Sequence, residues 1–303
     1  NTSSKVDLNF LQPVDGPIGR CFTLISDCGE RTFAISKGAM DKLTPEYIDK
    51  EVVQGSSALV LTAYLMRASE GDGITDAAMT AINYAKEADV PVVLTLGTRF
   101  LIQEDPQWWQ NFISEHVTIL AMNEDEGEAL TGFKDPLLAS EMALDWCDMV
   151  LTTAGAIGLY TAGYTEDVEK RETSHTLLPG AIPEFNRYEF SRPKLQVDCD
   201  TPIKVYAHIA PYMGGPELIR NTNGAGDGAL SALLHDLSAN TFHKTNVPGS
   251  SKHKRDGLCY SSFSQVCKYA NRVAYEVLAQ HSPRLSRGLP EREDSLEESY
   301  WER

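Results

Sequence analysis

Val117-Thr-Ile-Leu-Ala-Met122-Asn-Glu-Asp-Glu126-Gly-Glu-Ala-Leu-Thr131 decides the fold. An apolar run, Val117–Met122, passes without a linker into Asn123 and three acidic residues, which read as the start of a helix over 124–131. A strand that is apolar on both faces and turns at once into a helix belongs to a parallel sheet covered on both sides. The same step recurs in both directions. Upstream, Ala58–Thr62 precedes a helical spacing of Ile74, Ala77, Ala78, Ala81, Ile82 and Ala85, and Val90–Leu96 precedes a helix near 106–115. Downstream, a helix over 136–146 leads to a strand at Asp148–Thr153. This alternation predicts a three-layer α/β/α domain with a mostly parallel sheet. Ligands of such sheets lie beyond the carboxyl ends of the strands, so the residues just after each strand are the candidates for chemistry.

Outside this core, Cys21–Ile25 and Thr32–Ile35 read as the arms of a hairpin, with Asp27-Cys28-Gly29-Glu30 as its turn. Residues 161–220 hold six of the 15 prolines and little periodicity, so a long surface excursion is expected there. Helices are expected at 225–237 and 262–279, and a charged surface tail at Glu291–Arg303. The predicted organisation is a partial β-hairpin lid and lead-in over residues 1–40. A main domain over 41–303 follows, with an insert at about 161–220.

The chain has 303 residues, 42% of them hydrophobic, enough for one large core. With 43 Asp and Glu against 27 Lys and Arg the net charge is −16, which opposes nucleic acid or an anionic membrane as a partner. No apolar run reaches the roughly 18 residues of a membrane span. The six cysteines form no C-x-x-C pair and the histidines no H-E-x-x-H, so a zinc site or disulfide framework is not expected and a reducing cytoplasm is. There is no G-x-x-x-x-G-K-[ST] loop, which excludes the P-loop route to nucleotide chemistry.

The most informative motif is Asn221-Thr-Asn-Gly224-Ala225-Gly226-Asp227-Gly228, followed by Ala229, Leu230, Leu233, Leu234 and Leu237 on one helix face. Two glycines at a helix entrance leave N–H groups open to an anion, and the helix dipole favours negative charge there. Asp227 is placed to accept a proton from an attacking hydroxyl. A glycine-rich turn with a carboxylate in the first helical turn explains the same residues as simple capping, and the motif alone leaves both readings open. Likewise Asn123-Glu-Asp-Glu126 in isolation reads as a solvated acidic helix start.

Together these stretches resemble the PfkB, or ribokinase-like, carbohydrate kinase family. Gly224–Asp227 is similar to the family's second signature, Asn123–Glu126 to its N-x-x-E motif, and Thr153-Ala-Gly155-Ala-Ile-Gly158 to its nucleotide-binding turn. The resemblance covers residues 15–285 and implies ATP as phosphate donor and Mg²⁺ organised through water by Asn123 and Glu126. It further implies an anion hole at Gly224, Ala225 and Gly226, a catalytic base at Asp227, and nucleotide contacts from Thr153, Gly155, Gly158 and Asn271. A substrate lid carrying Gly19, Arg20 and Arg31 and a homodimer formed through that lid also follow. Gly16–Ile25, Val92–Gly97, Ala121–Glu126, Ala210–Gly215 and Arg287–Trp301 resemble the bacterial purine nucleoside kinases within the family. The acceptor they imply is the 5′-hydroxyl of inosine or guanosine, with ribose, adenosine, fructose phosphate or a catalytically silent nucleotide-binding relative as alternatives.

Two departures qualify the resemblance. Asn221 stands where the family's signature begins with Asp, a position tied in relatives to a monovalent cation, so K⁺ activation stays open. The family's first signature, a Gly-Gly motif ahead of the lid, is absent, and the chain opens on Asn1. The expectation is that an N-terminal segment carrying sheet strands and most acceptor contacts is missing, and that residues 1–303 alone have weak or no activity.

Overall fold

Alternation of side chains along four apolar runs builds a sheet whose two faces are both buried. In the computed structural model, which describes residues 7–11, 13–25, 31–66, 73–249 and 257–291, the chain opens with a hairpin of β1 (Arg20–Ile25) and β2 (Arg31–Ser36). The expected turn Asp27–Glu30, the Arg31 side chain and the tail after Glu291 lie outside the described residues. Then follow α1 (Lys50–Gln54), β3 (Leu59–Thr62), α2 (Gly73–Glu87), β4 (Val92–Thr95), α3 (Arg99–Glu104) and α4 (Pro106–His116). Next come β5 (Ile119–Asn123), α5 (Glu124–Thr131), α6 (Pro136–Ala143), β6 (Met149–Ala154) and β7 (Gly158–Glu166). The chain continues with β8 (Pro202–Ile209), α7 (Ala225–Asn246) and α8 (Phe263–Leu278).

Strands β3 to β8 lie side by side in sequence order. β3, β4, β5 and β6 pair in parallel, while β7 runs antiparallel to both β6 and β8. Val92, Leu94, Leu120 and Val150 face the core covered by α2 to α6. Val93, Ile119, Met149 and Leu151 face the opposite core, under α7 and α8. Each such Leu or Ile, taken fully from water, contributes about 1.5–3 kcal/mol. The helix starts are written in the sequence. Asp105 and Asp135 cap α4 and α6 ahead of Pro106 and Pro136, whose fixed φ and missing N–H suit a first helical position.

Two expectations change. Residues 161–220 are not one irregular surface excursion: β7 extends to Glu166 and β8 fills Pro202–Ile209, so the chain leaves the sheet between them and again after Ile209. Thr161 and Thr165 are polar yet buried, and the Thr161 hydroxyl donates to the Val150 carbonyl at 2.8 Å, so no apolar run betrays this strand. Helix α7 continues past Leu237 to Asn246, through polar residues that break the apolar stripe.

Candidate functional site

Because β7 reverses and β8 reverses again, β8 ends at the same edge of the sheet as β3 to β6. The turn before β7 and the entrance of α7 stand there too. That edge gathers the motif residues of the sequence into one place: Asn123 ends β5 and lies in register beside Thr153 of β6.

Asn123 and Glu126 close a reciprocal capping box. The Glu126 N–H donates to Asn123 Oδ1 at 2.8 Å, and the Asn123 N–H donates back to Glu126 Oε2 at 2.9 Å. Asn123 Nδ2 adds a bond to Glu126 Oε1 at 3.1 Å. Glu126 is only 4% exposed. Burial pushes its carboxyl up to about 7, with Asp125 and Glu124 adding to the rise and the Asn123 N–H opposing it. Burial raises Glu124 as well.

Strand β6 breaks into a tight turn, Gly155–Ile157, before β7. Gly155 has φ +48°, and a Cβ there would sit 3.6 Å from Glu124 Oε1, so the turn lies over the acidic start of α5. Gly158 has φ +113° and a Cβ would collide with the Ile209 carbonyl at 2.2 Å. Only glycine lets the turn press onto the end of β8. Asn271 of α8 is buried and spends its Nδ2 on the carbonyls of Ile209 and Ala210, at 3.1 and 3.0 Å. It therefore ties α8 to the same strand end.

The entrance of α7 carries no side-chain cap: Gly224 is the N-cap residue in the left-handed region, φ +82°. The Gly228 N–H is the first to find an intrahelical acceptor, at 2.8 Å on Gly224. The N–H groups of Ala225, Gly226 and Asp227 thus point out of a 22-residue helix with its dipole behind them. A Cβ on Gly226 would meet nothing within 4 Å, so the approach is open, and Asp227 is exposed. The carboxylate does not turn into the interior. Asn221, just upstream, is spent internally: its Oδ1 accepts from the Asn223 N–H and its Nδ2 donates to the His281 carbonyl.

The hairpin overhangs this edge on the β3 side. Between them is a cavity of about 390 Å³, lined among others by Cys21, Phe33, Ile35, Thr62 and Tyr64. Gly19 and Arg20 do not line it: Gly19 packs against Met40, and Arg20 begins β1 with an exposed side chain. The sequence reading missed Phe33, Ile35 and Tyr64, which carry no motif. Their signal was the apolar alternation of β2 and the position of Tyr64 directly after β3.

The residues fit a water-mediated Mg²⁺ site rather than direct chelation. Among the described residues no three His, Cys, Asp or Glu side chains gather to hold an ion. Yet Mg²⁺ retains several waters and needs few protein carboxylates beside substrate phosphates. Glu124 beside the turn and Glu126 buried behind it are both made harder to ionise by burial, which is what such a cation relieves. Among the described residues no helix is long and apolar enough to cross a membrane, and Cys21, Cys147, Cys199, Cys259 and Cys267 are free thiols.

A mixed sheet between helical layers, with an uncapped glycine helix mouth and a strand-end turn at one edge, defines a ribokinase-like sugar kinase fold. The chain belongs to the PfkB family of carbohydrate kinases: the family model matches residues 1–175. It is 69% identical to guanosine-inosine kinase of Escherichia coli K12, over all of this chain and 70% of that protein. Among solved structures, adenosine kinase from Sinorhizobium meliloti superposes with a TM-score of 0.61 at 20% identity, covering 90% of this chain and 64% of that one. A ribokinase-II-type protein of E. coli in complex with ATP and Mg²⁺ gives 0.55 at 15% identity, covering 90% and 67%. The two structural likenesses carry the fold. The chain thus spans about 70% of the curated kinase it matches and 64% of the adenosine kinase chain.

Proposed function

We propose that this protein transfers the γ-phosphoryl group of ATP to the 5′-hydroxyl of a purine nucleoside, inosine or guanosine. The identity of 69% over the whole chain supports purine nucleoside kinase function, and the observation that carries the mechanism is the uncapped α7 entrance beside an exposed Asp227.

Asp227 takes the proton from the 5′-hydroxyl. The oxygen forms its bond to the γ-phosphorus as the bridging bond to the β-phosphate breaks, and ADP leaves. The N–H groups of Ala225, Gly226 and Asp227 hold the charge that gathers on the migrating group, the kind of fixed dipole whose loss costs ~10²–10³ in rate. Thr153, Gly155 and Gly158 form the nucleotide turn, with Asn271 fixing the neighbouring strand end. Asn123 and Glu126 would hold Mg²⁺ through water, and the ion supplies neutralising charge to the phosphates when bound. The hairpin closes over the acceptor, with Phe33 and Ile35 excluding water, while Gly19 and Arg20 stand at its open end outside the cavity. The uncharged Asn221 amide weakens any monovalent-cation site, so K⁺ acts at most as an accessory activator. Free thiols and the acidic charge support a cytoplasmic, nucleic-acid-independent enzyme.

A coupled ADP-release assay with ATP, Mg²⁺ and a panel of inosine, guanosine, adenosine, ribose and fructose 6-phosphate tests the reading. Turnover with inosine and guanosine at least about tenfold above the others is expected; preference for a free sugar or sugar phosphate reassigns the acceptor, and no turnover with any supports a silent relative.

A further inference from the structure

Residues 167–201 leave the sheet after β7 and return to it at β8, and one of them reaches the nucleotide side of the molecule. Asn186 has φ +63°, a conformation asparagine tolerates better than most residues. Its N–H donates to the Tyr206 carbonyl at 2.7 Å. Its side-chain amide then pairs with both backbone groups of His208: Oδ1 accepts from the His208 N–H at 2.6 Å, and Nδ2 donates to the His208 carbonyl at 3.0 Å. Asn186 thus stands in for a neighbouring strand along β8. Phe185 beside it is buried, and the backbone at Gly180 comes so close that a Cβ there would be 2.8 Å from its ring.

His208 in turn reaches the turn Gly155–Ile157. Its Nε2 lies 2.9 Å from the Ile157 carbonyl. A carbonyl only accepts, so this nitrogen carries the hydrogen. The imidazole stacks on Tyr160 with ring centroids 4.3 Å apart and planes 29° apart, which fixes the direction of that donor. At the next residues Gly158 packs closely against the Ile209 carbonyl, so the turn meets β8 at adjacent points.

We infer that His208 is a positioning residue for the nucleotide turn, and that the 167–201 segment acts through Asn186 and His208 to set the affinity for ATP. This rests on the reading of Gly155–Gly158 as a nucleotide-binding turn, and the test is chosen to need no acceptor. Calorimetry with Mg²⁺-ATP alone compares three variants with the parent. His208→Phe keeps the stack on Tyr160 and loses the donor. His208→Gln places an amide N–H near the position of Nε2. Asn186→Gly keeps the positive φ and loses the amide. Losing one hydrogen bond from the turn should weaken ATP binding about three- to tenfold in His208→Phe. Asn186→Gly should shift in the same direction and His208→Gln should return to within about twofold of the parent. In turnover assays KM for ATP should follow, while KM for the acceptor does not. Unchanged ATP affinity in His208→Phe overturns the inference. So does a loss shared equally by ATP affinity, acceptor KM and thermal stability that glutamine fails to rescue, since that pattern marks a merely structural residue. A parent protein that binds no ATP overturns both this and the nucleotide turn itself, whereas a parent that binds ATP with the stated shifts but phosphorylates no nucleoside supports the inference and removes only the acceptor.

Discussion

A Cβ on Gly224 would stand 2.1 Å from the carbonyl oxygen of Pro283, inside any tolerable contact, at a backbone φ of +82°. The loop after α8 therefore clamps the residue that starts α7, and α7 owes its bare entrance to that clamp. Gly226, two residues on, faces open space. The two glycines of one motif do different physical work: the first permits a backbone approach within the protein, the second leaves room for a ligand.

Their alanine variants should separate. Gly224→Ala should cost about 1–3 kcal/mol of stability from strain and backbone collision. Gly226→Ala should leave stability unchanged or raise it by up to about 1 kcal/mol, since alanine is the better helix former. It should nevertheless lower turnover at least about tenfold by narrowing the phosphate approach. Urea unfolding and steady-state kinetics on both variants check this; equal effects on both quantities in both variants contradict the division.

Glu126 gives a pH-dependent counterpart. Its folded-state carboxyl is raised to about 7, above its unfolded value, so the favourable contribution is complete below the ordinary carboxylate range and fades as pH rises through about 7. Glu126→Gln removes that titration and keeps an acceptor for the Asn123 N–H. The variant should match the parent in stability near pH 4.5 and exceed it above pH 7, by on the order of 1–3 kcal/mol. Turnover should fall most above pH 7, where the parent carboxylate is charged and the amide is not. Denaturant unfolding across pH 4.5–8.5 with parallel activity assays reads both; a stability difference independent of pH contradicts the account.

The hairpin's outer face predicts assembly. Phe22 and Leu24 lie on the same face of β1 and are 58% and 59% exposed, on the side away from Cys21, Phe33 and Ile35. If the lid pairs with a second lid, sedimentation should find a dimer that Phe22→Glu converts to a monomer; a monomeric parent removes the lid-mediated dimer.

Legibility in the sequence followed physical signal strength. β4 to β6 were readable because strands buried on both faces are apolar throughout, β3 because it is apolar although Val60 is exposed, and the junctions Met122–Asn123 and Thr153–Ala154 sat where the apolar runs ended. Asn123 and Glu126 stood out by resemblance, but in isolation they read as a solvated acidic helix start, whereas the structure buries Glu126 in a capping box. β7 was not, because the buried Thr161 and Thr165 interrupt its apolar residues among glycines, and Thr161 satisfies its hydroxyl on the Val150 carbonyl. β8 was masked by partial exposure and by the prolines around it. In the site, Gly224–Asp227 stood out through glycine, which only backbone geometry explains. Asn186 and His208 gave no signal, because their meaning lies in partners about 22 and 51 residues away. Asn271 was expected to contact the nucleotide; in the structure its Nδ2 is committed to the carbonyls of Ile209 and Ala210.

The central claim is proton abstraction by Asp227 at an open helix mouth, and Asp227→Asn tests it most directly. The exchange keeps shape and removes the base. With Mg²⁺-ATP and inosine, kcat should fall about 10²–10⁴-fold, while ATP affinity and unfolding stability stay at parental values. Parental turnover by Asp227→Asn, or an equal collapse of ATP binding, would contradict the assignment.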